Sequence, residues 1–384
     1  MSLEGPQATN GVADEPLSAE QAANFEVYKS KCAENGLLER PVDFGSEDVC
    51  DGINDDVVLL RFFRARKYNV DEAYKMFSAV CLTREKHRHC VFYDNIDIES
   101  FDETRRIYPH WTGHRDKRGQ PLYYFDMEAV TSKTIAAHTK SSESISLPDI
   151  EFPKSSSPES LRSFTAFDYA IRFIMPLCSL VPTRPNPSTP ISRAIYIIDI
   201  ATVSLSQVWG ARSWIKTTAD LLANTYPEIL DRVFILNAPS FFPTIWSWIK
   251  GFLDPVTASK LQLVPRSETL STLQTYIPLS SIPTKYGGEL AFELGMRPVL
   301  DQELSEILGG RSEVPLGPLK WIYGEGEGKR VAVAVGRVGG AKRWERLAEV
   351  KMGGEKEGKI VQEGSCRSEV TDVVLSGQML ESQA

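Results

Sequence analysis

The segment Tyr226 to Leu263, YPEILDRVFILNAPSFFPTIWSWIKGFLDPVTASKLQL, constrains this chain more than any other stretch of it. Val233–Pro239 is a short apolar, β-rich run closed by Asn and Pro, as expected of a buried strand. After it, Phe241, Phe242, Ile245, Trp246, Trp248, Ile249, Phe252 and Leu253 recur at helical spacing with almost nothing polar among them. A sharp turn at Asp254-Pro255 follows, then Thr257, Ser259 and Lys260. A greasy helix beside a cationic, hydroxyl-bearing turn suits an amphiphile with an apolar tail and an anionic head. Aromatic stripes of this kind more often fill a protein's own core, so the stripe alone leaves both readings open.

The 384 residues leave room for two domains, or for one large domain with tails. Hydrophobic residues make up 42% and charged residues 24%, a globular composition. A net charge of −8 argues against bulk nucleic-acid binding, which calls for a basic domain. No run approaches the roughly 18 apolar residues of a membrane span, and MSLEGPQATNG lacks a signal peptide's apolar stretch. Membrane contact is therefore expected to be peripheral. Cys32, Cys50, Cys81, Cys90, Cys178 and Cys366 show no C-x-x-C spacing, which points to reduced thiols in the cytoplasm.

Along the chain, residues 1–18 and the Gly- and charge-rich residues 351–384 read as disordered tails. Helices are expected over residues 19–38, Ile53–Val70 and Asp71–Arg88, making a small helical N-terminal unit. The runs PLYYFDM, AIYIIDI and VFILNAP then alternate with helical stretches, notably Ser206–Asn224. That pattern predicts an α/β fold on a mostly parallel sheet. Thr131–Ser160 and Val181–Pro190 read as surface insertions. A short helix near Asp301–Leu308 and a strand over Arg330–Val338 are expected farther on, and Ala341–Lys351 reads as an exposed helix.

Several chemistries find little support. There is no G-x-S-x-G elbow, and all five histidines precede the main strands. His87-Arg88-His89-Cys90 lacks a distal pair for a tetrahedral metal site and reads as a solvated helix end. Gly324–Lys329, GEGEGK, lacks phosphate-loop spacing and reads as a hairpin loop. Arg64, Arg66 and Lys67 cluster where a helix ends. The helix dipole explains one or two of them, and recognition of phosphate or of an acidic partner is the alternative.

LLRFFRARKYNVDEA, AIYIIDI with its following helix and YPEIL, and NAPSFFPTIWSWIKGFLDPVTASK with IPTKYGGEL together resemble the CRAL-TRIO lipid-binding family, in its fungal phosphatidylinositol/phosphatidylcholine transfer type. The resemblance runs in family order from about Asp51 to Leu290. It implies a helical N-terminal unit over 19–98 and a lipid-binding domain over 99–295 whose sheet floors an apolar cavity. Residues 296–350 fall outside it as a C-terminal extension. Pro243–Leu253 matches the family's mobile gate helix, with Ile245, Trp246, Trp248, Ile249, Phe252 and Leu253 implied to meet the bilayer. Trp246 and Trp248 lie about 200° apart on a helix, so only one can face the cavity.

Carried over residue by residue, the family's phosphatidylinositol headgroup positions fall on Arg66, Lys67, Glu228, Thr257 and Lys260. The cations suit a phosphodiester, while the Thr257 hydroxyl and Glu228 carboxylate suit phosphate or inositol hydroxyls. The chain departs from the family on the phosphatidylcholine side. Ala194 and Tyr196 replace small hydroxyl residues and Leu222 replaces a serine, which implies weak choline-phosphate binding; Tyr196 can supply one phenol to the pocket. The expected function is a monomeric, non-enzymatic carrier of phosphatidylinositol, cytoplasmic and peripheral at Golgi or endosomal membranes, which also presents its lipid to a kinase. It needs no cofactor beyond the bound phospholipid. Two alternatives stand beside it. One is a carrier of a sterol-like or isoprenoid cargo, or of haem with Tyr196 as axial ligand; the other is a regulatory module that transfers nothing.

Overall fold

A computed structural model describes residues 16–39, 45, 47–49, 55–253 and 255–351. The apolar runs become neighbouring strands of a five-stranded sheet in the order β1-β2-β3-β4-β5. The N-terminal unit precedes it with α1 (Ala19–Glu34), α2 (Asp56–Ala65), α3 (Val70–Lys86), α4 (His89–Asn95) and α5 (Ile98–Thr104). Each of the first three helices starts on a side-chain cap, at Ser18, Asp55 and Asn69, which accepts a backbone N–H left unpaired by the first turn. Phe25, Tyr28, Phe62, Phe63 and Phe77 close their shared core, with Tyr28 stacked on Phe63 at 5.7 Å. Burying each such ring stabilises the unit by roughly 1.5–3 kcal/mol.

The sheet is built from β1 (His110–Arg115), β2 (Pro121–Asp126), β3 (Ala194–Asp199), β4 (Leu230–Leu236) and β5 (Leu261–Val264). β2 to β5 run parallel, and β1 adds an antiparallel edge. The connections carry α6 (Ser132–Glu143), α7 (Pro158–Tyr169), a π-helical turn (Ala170–Ile174), α8 (Met175–Ser179), α9 (Leu205–Asn224), α10 (Phe242–Ile249), a 3-10 turn (Lys250–Phe252) and α11 (Pro255–Ser259). Register places Tyr123, Tyr196, Val233 and Leu261 in one row across the sheet. That face packs beneath Phe164, Phe167, Trp214, Leu222, Phe242 and Trp246. The alternating residues Tyr124, Ile197, Phe234 and Val264 face the other way, toward α12 (Thr269–Tyr276) and Ile277, Ile282 and Tyr286. Burial on both faces explains why these strands read as continuous apolar runs.

Beyond α13 (Gln302–Ile307), a second sheet forms in the order β10-β7-β6 from β6 (Leu319–Tyr323), β7 (Lys329–Ala334) and β10 (Glu345–Lys351), with a small hairpin of β8 (Arg337–Val338) and β9 (Ala341–Lys342). The exposed helix expected over Ala341–Lys351 is therefore strand. Its Ala, Lys, Arg, Glu and Leu favour helix locally, but pairing along β7 prevails. Gly324–Gly328 is the loop of the β6–β7 hairpin. This extension is tied to the body through buried ions. Asp48 meets Arg172 at 2.9 Å and Lys320 at 2.7 Å, and Lys320 also donates to Asp94 at 2.6 Å.

Two further expectations change. Thr131–Ser160 is more than a surface insertion, since α6 opens on a Thr131–Thr134 capping box and buries His138 and Ser142. His89 is not solvated; it lies buried with its ring 3.9 Å from that of Phe164. No helix among the described residues is long and apolar enough to cross a membrane, and no group of three metal-ligating side chains occurs among them. The expected disordered tails fall outside the described residues except at 16–18 and at Lys351.

Candidate headgroup site and gate

At the amino-terminal edge of the parallel strands, three charged residues converge. Arg193 immediately precedes β3, Glu228 lies two residues before β4, and Lys260 immediately precedes β5. Strand pairing fixes them: the Ala194 amide donates to the Ile229 carbonyl, and the Val233 amide donates to the Lys260 carbonyl, each at 2.9 Å. Lys260 Nζ donates to Glu228 Oε2 at 2.6 Å, and an Arg193 Nη lies 3.5 Å from the same oxygen. The side chains of Arg193, Glu228 and Lys260 are only 5%, 12% and 13% exposed. Burial pushes the Lys260 ammonium below the usual lysine range, and Glu228 opposes that shift. Glu228 also holds a left-handed backbone (φ 57°), which costs about 1–2 kcal/mol in a residue other than glycine. Strain of this kind gathers where side-chain placement matters.

The other predicted headgroup residues surround this centre without all touching it. Thr257 is half-buried in α11, and its carbonyl accepts the Lys260 amide at 3.1 Å, so it sets the backbone from which Lys260 reaches in. Arg66 and Lys67 end α2 as exposed side chains, and Lys67 and Tyr68 both adopt positive φ in the reversal into α3. Arg66 lines a cavity of ≈ 430 Å³ with Lys75, Thr83, Asn224 and Thr225, floored by Met76, Val80 and Phe164. Asn224 and Thr225 lead directly into Tyr226-Pro227-Glu228, so this cavity adjoins the ion cluster along the chain. Tyr226 fixes the approach: its hydroxyl donates to Asp168 at 2.7 Å, and Arg84 of α3 donates to both oxygens of that carboxylate. Arg193, Asn224 and Thr225 were not singled out from sequence. An arginine before a strand carries no periodic signal, and only the parallel register brings it to Glu228.

Tyr196 lies on the inner sheet face, stacked on Tyr123 at 5.0 Å. Burial drives its phenol far above the ordinary range, which favours the neutral form. Above this face lies α10. Phe242, Ile245, Trp246 and Ile249 form its inward stripe at i, i+3, i+4 and i+7. Trp246 stacks on buried Phe242 at 6.0 Å and joins the main core, and Lys250 Nζ sits 5.2 Å from the Trp246 ring centre. Trp248 is half-buried, off that stripe, beside exposed Thr244 and Ser247. Leu253 is half-buried, and the side chain of Phe252 lies outside the described residues. The turn after α10 rests against α9.

Residues 107–288 match the CRAL/TRIO domain, and residues 43–79 match the CRAL/TRIO N-terminal domain. The chain belongs to the CRAL/TRIO family. A SEC14 cytosolic factor of Candida glabrata is 27% identical over 71% of this chain and 80% of its own length. A phosphatidylinositol/phosphatidylcholine transfer protein of Arabidopsis thaliana is 26% identical over 60% of this chain and 39% of its own. Among solved structures, that of Sfh5 superposes with a TM-score of 0.52 at 13% identity, covering 77% of this chain and 98% of the other, which supports the shared fold.

Proposed function

We propose that this CRAL/TRIO protein binds phosphatidylinositol and carries it between membranes without altering it. The observation that carries this reading is the ion cluster at the strand edge, where two cations share one carboxylate beside the Arg66 cavity. A phosphodiester is the anion that such a cluster suits. The acyl chains would follow the inner sheet face toward Ala194, Val233 and Leu261, where opening of α10 would admit them. The similarity to a relative named for phosphatidylinositol and phosphatidylcholine transfer supports the lipid class. Ala194 is fully buried and Leu222 packs in the core, so two positions that would need hydroxyls for choline-phosphate are apolar. Phosphatidylcholine transfer is accordingly expected to be the weaker activity. The protein acts as a peripheral, monomeric carrier that delivers its lipid to membranes or to a lipid kinase, and no residue is assigned to bond-breaking chemistry.

The test is transfer of labelled phosphatidylinositol between vesicles. Replacing both Lys67 and Lys260 by Ala removes two charge-assisted contacts of about 1.5–3 kcal/mol each, so transfer should fall by tenfold or more with the thermal transition retained. A folded double variant that transfers like wild type would show the headgroup assignment to be wrong.

A further inference from the structure

The outer face of α9 carries a stripe that the packing of this helix does not use. Leu205, Trp209, Arg212 and Lys216 follow one another at i, i+4, i+7 and i+11, so they line one side of the helix over about 16 Å. All four are exposed, and Trp209, at 66%, is the most exposed large hydrophobic side chain among the described residues. The helix packs through other positions: Ala211 and Ala219 are buried, and Trp214 joins the core. The Arg212 guanidinium lies 4.8 Å from the Trp209 ring centre, and its Nη1 donates to the Trp209 carbonyl at 2.7 Å, which braces the indole in its outward position. Between Asp199 and Asp220 the chain carries no acidic residue, although its net charge is −8. The turn Lys250–Phe252, which follows α10, rests against this same helix.

Single exposed apolar residues are ordinary, but here two stand one turn apart, with a cation on each of the next two turns. An exposed indole beside basic residues matches the boundary between acyl chains and phosphates. Tryptophan settles there, and each cation near an anionic leaflet adds attraction. We propose that the face of α9 from Leu205 to Lys216 is a membrane-docking surface, with Trp209 seated at the interface of an anionic bilayer and Arg212 and Lys216 on lipid phosphates. The inference rests on the carrier reading above and names the face that such a carrier presents to the membrane. Contact with the turn after α10 favours a bilayer over an acidic protein, because a carrier must meet the membrane where its cargo leaves.

The experiment sediments purified full-length protein with phosphatidylcholine vesicles, with and without phosphatidylserine, and reads the bound fraction. Wild type should bind the phosphatidylserine vesicles more strongly. Trp209→Ser should weaken that binding about tenfold with Tm unchanged, and Trp209→Phe should keep most of it. Arg212→Gln with Lys216→Gln should weaken it about 10- to 30-fold, and raised salt should erase the difference between this variant and wild type. Equilibrium loading of phosphatidylinositol, measured by extraction and mass spectrometry, should be the same in every variant. If Trp209→Ser and the double variant bind like wild type, or wild type binds no anionic vesicle, the inference fails while phosphatidylinositol loading still decides the carrier reading. A wild type that binds through Trp209 yet loads no phosphatidylinositol keeps the docking face and removes the carrier reading. A wild-type dimer that Trp209→Ser dissociates, seen by sedimentation velocity without vesicles, would assign the face to a second copy and overturn the proposal.

Discussion

Arg172 and Lys320 share Asp48 and Asp94 in one buried cluster, whereas Arg193 and Lys260 share Glu228 in another. The first is balanced, with two cations and two carboxylates. Asp48 and Arg172 are wholly enclosed, and the cluster binds the C-terminal sheet to the π-helical turn. In the second, Arg193 and Lys260 both meet the Glu228 carboxylate, which remains slightly open at the edge of a sheet whose inner face is apolar. Desolvation makes every buried charge costly unless it is paired, so a balanced cluster can serve as a fastening.

This contrast can be broken by stability measurements. Asp48→Asn leaves Arg172 and Lys320 with one carboxylate between them, and should cost about 3–5 kcal/mol in denaturant unfolding. Lys260→Met removes one of the two cations that meet Glu228 and leaves Arg193 beside it, and should cost less, about 1–3 kcal/mol. Equal losses would mean that both clusters are structural.

A smaller effect is expected at α10. Trp246→Ala removes a ring that stacks on Phe242 within the core, and should lower both lipid occupancy and stability. Trp248→Glu alters a side chain off the inward stripe, and should weaken association with anionic vesicles while bound lipid is retained. Vesicle co-sedimentation and lipid extraction on the two variants separate these outcomes. If both simply unfold the protein, α10 is ordinary core rather than a gate.

Much of this architecture was legible in the sequence because burial on both faces writes β2, β3 and β4 as uninterrupted apolar runs; the helix expected over Ile53–Val70 instead stops at Ala65, and Asn69 caps α3. Glu228 and Lys260 were legible through family resemblance, and they do meet, at 2.6 Å. Arg193 was not, since its significance arises from strand register across a crossover, which local pattern does not encode. β10 was misread for the opposite reason: its residues favour helix, and antiparallel pairing with β7 decides otherwise. His89 reads as polar beside His87 and Arg88, yet the turn into α4 directs its ring onto Phe164. The division of labour between Trp246 and Trp248 required the helix phase, which sequence leaves undefined by a fraction of a turn.

The most direct measurement is of the lipid carried by the full chain after equilibration with vesicles holding equal amounts of phosphatidylinositol and phosphatidylcholine. Extraction and mass spectrometry should find phosphatidylinositol in clear excess on the wild type, and that excess should be lost in Lys260→Ala. Equal amounts of the two lipids on the wild type, or an excess that survives in the folded Lys260→Ala variant, would contradict the account.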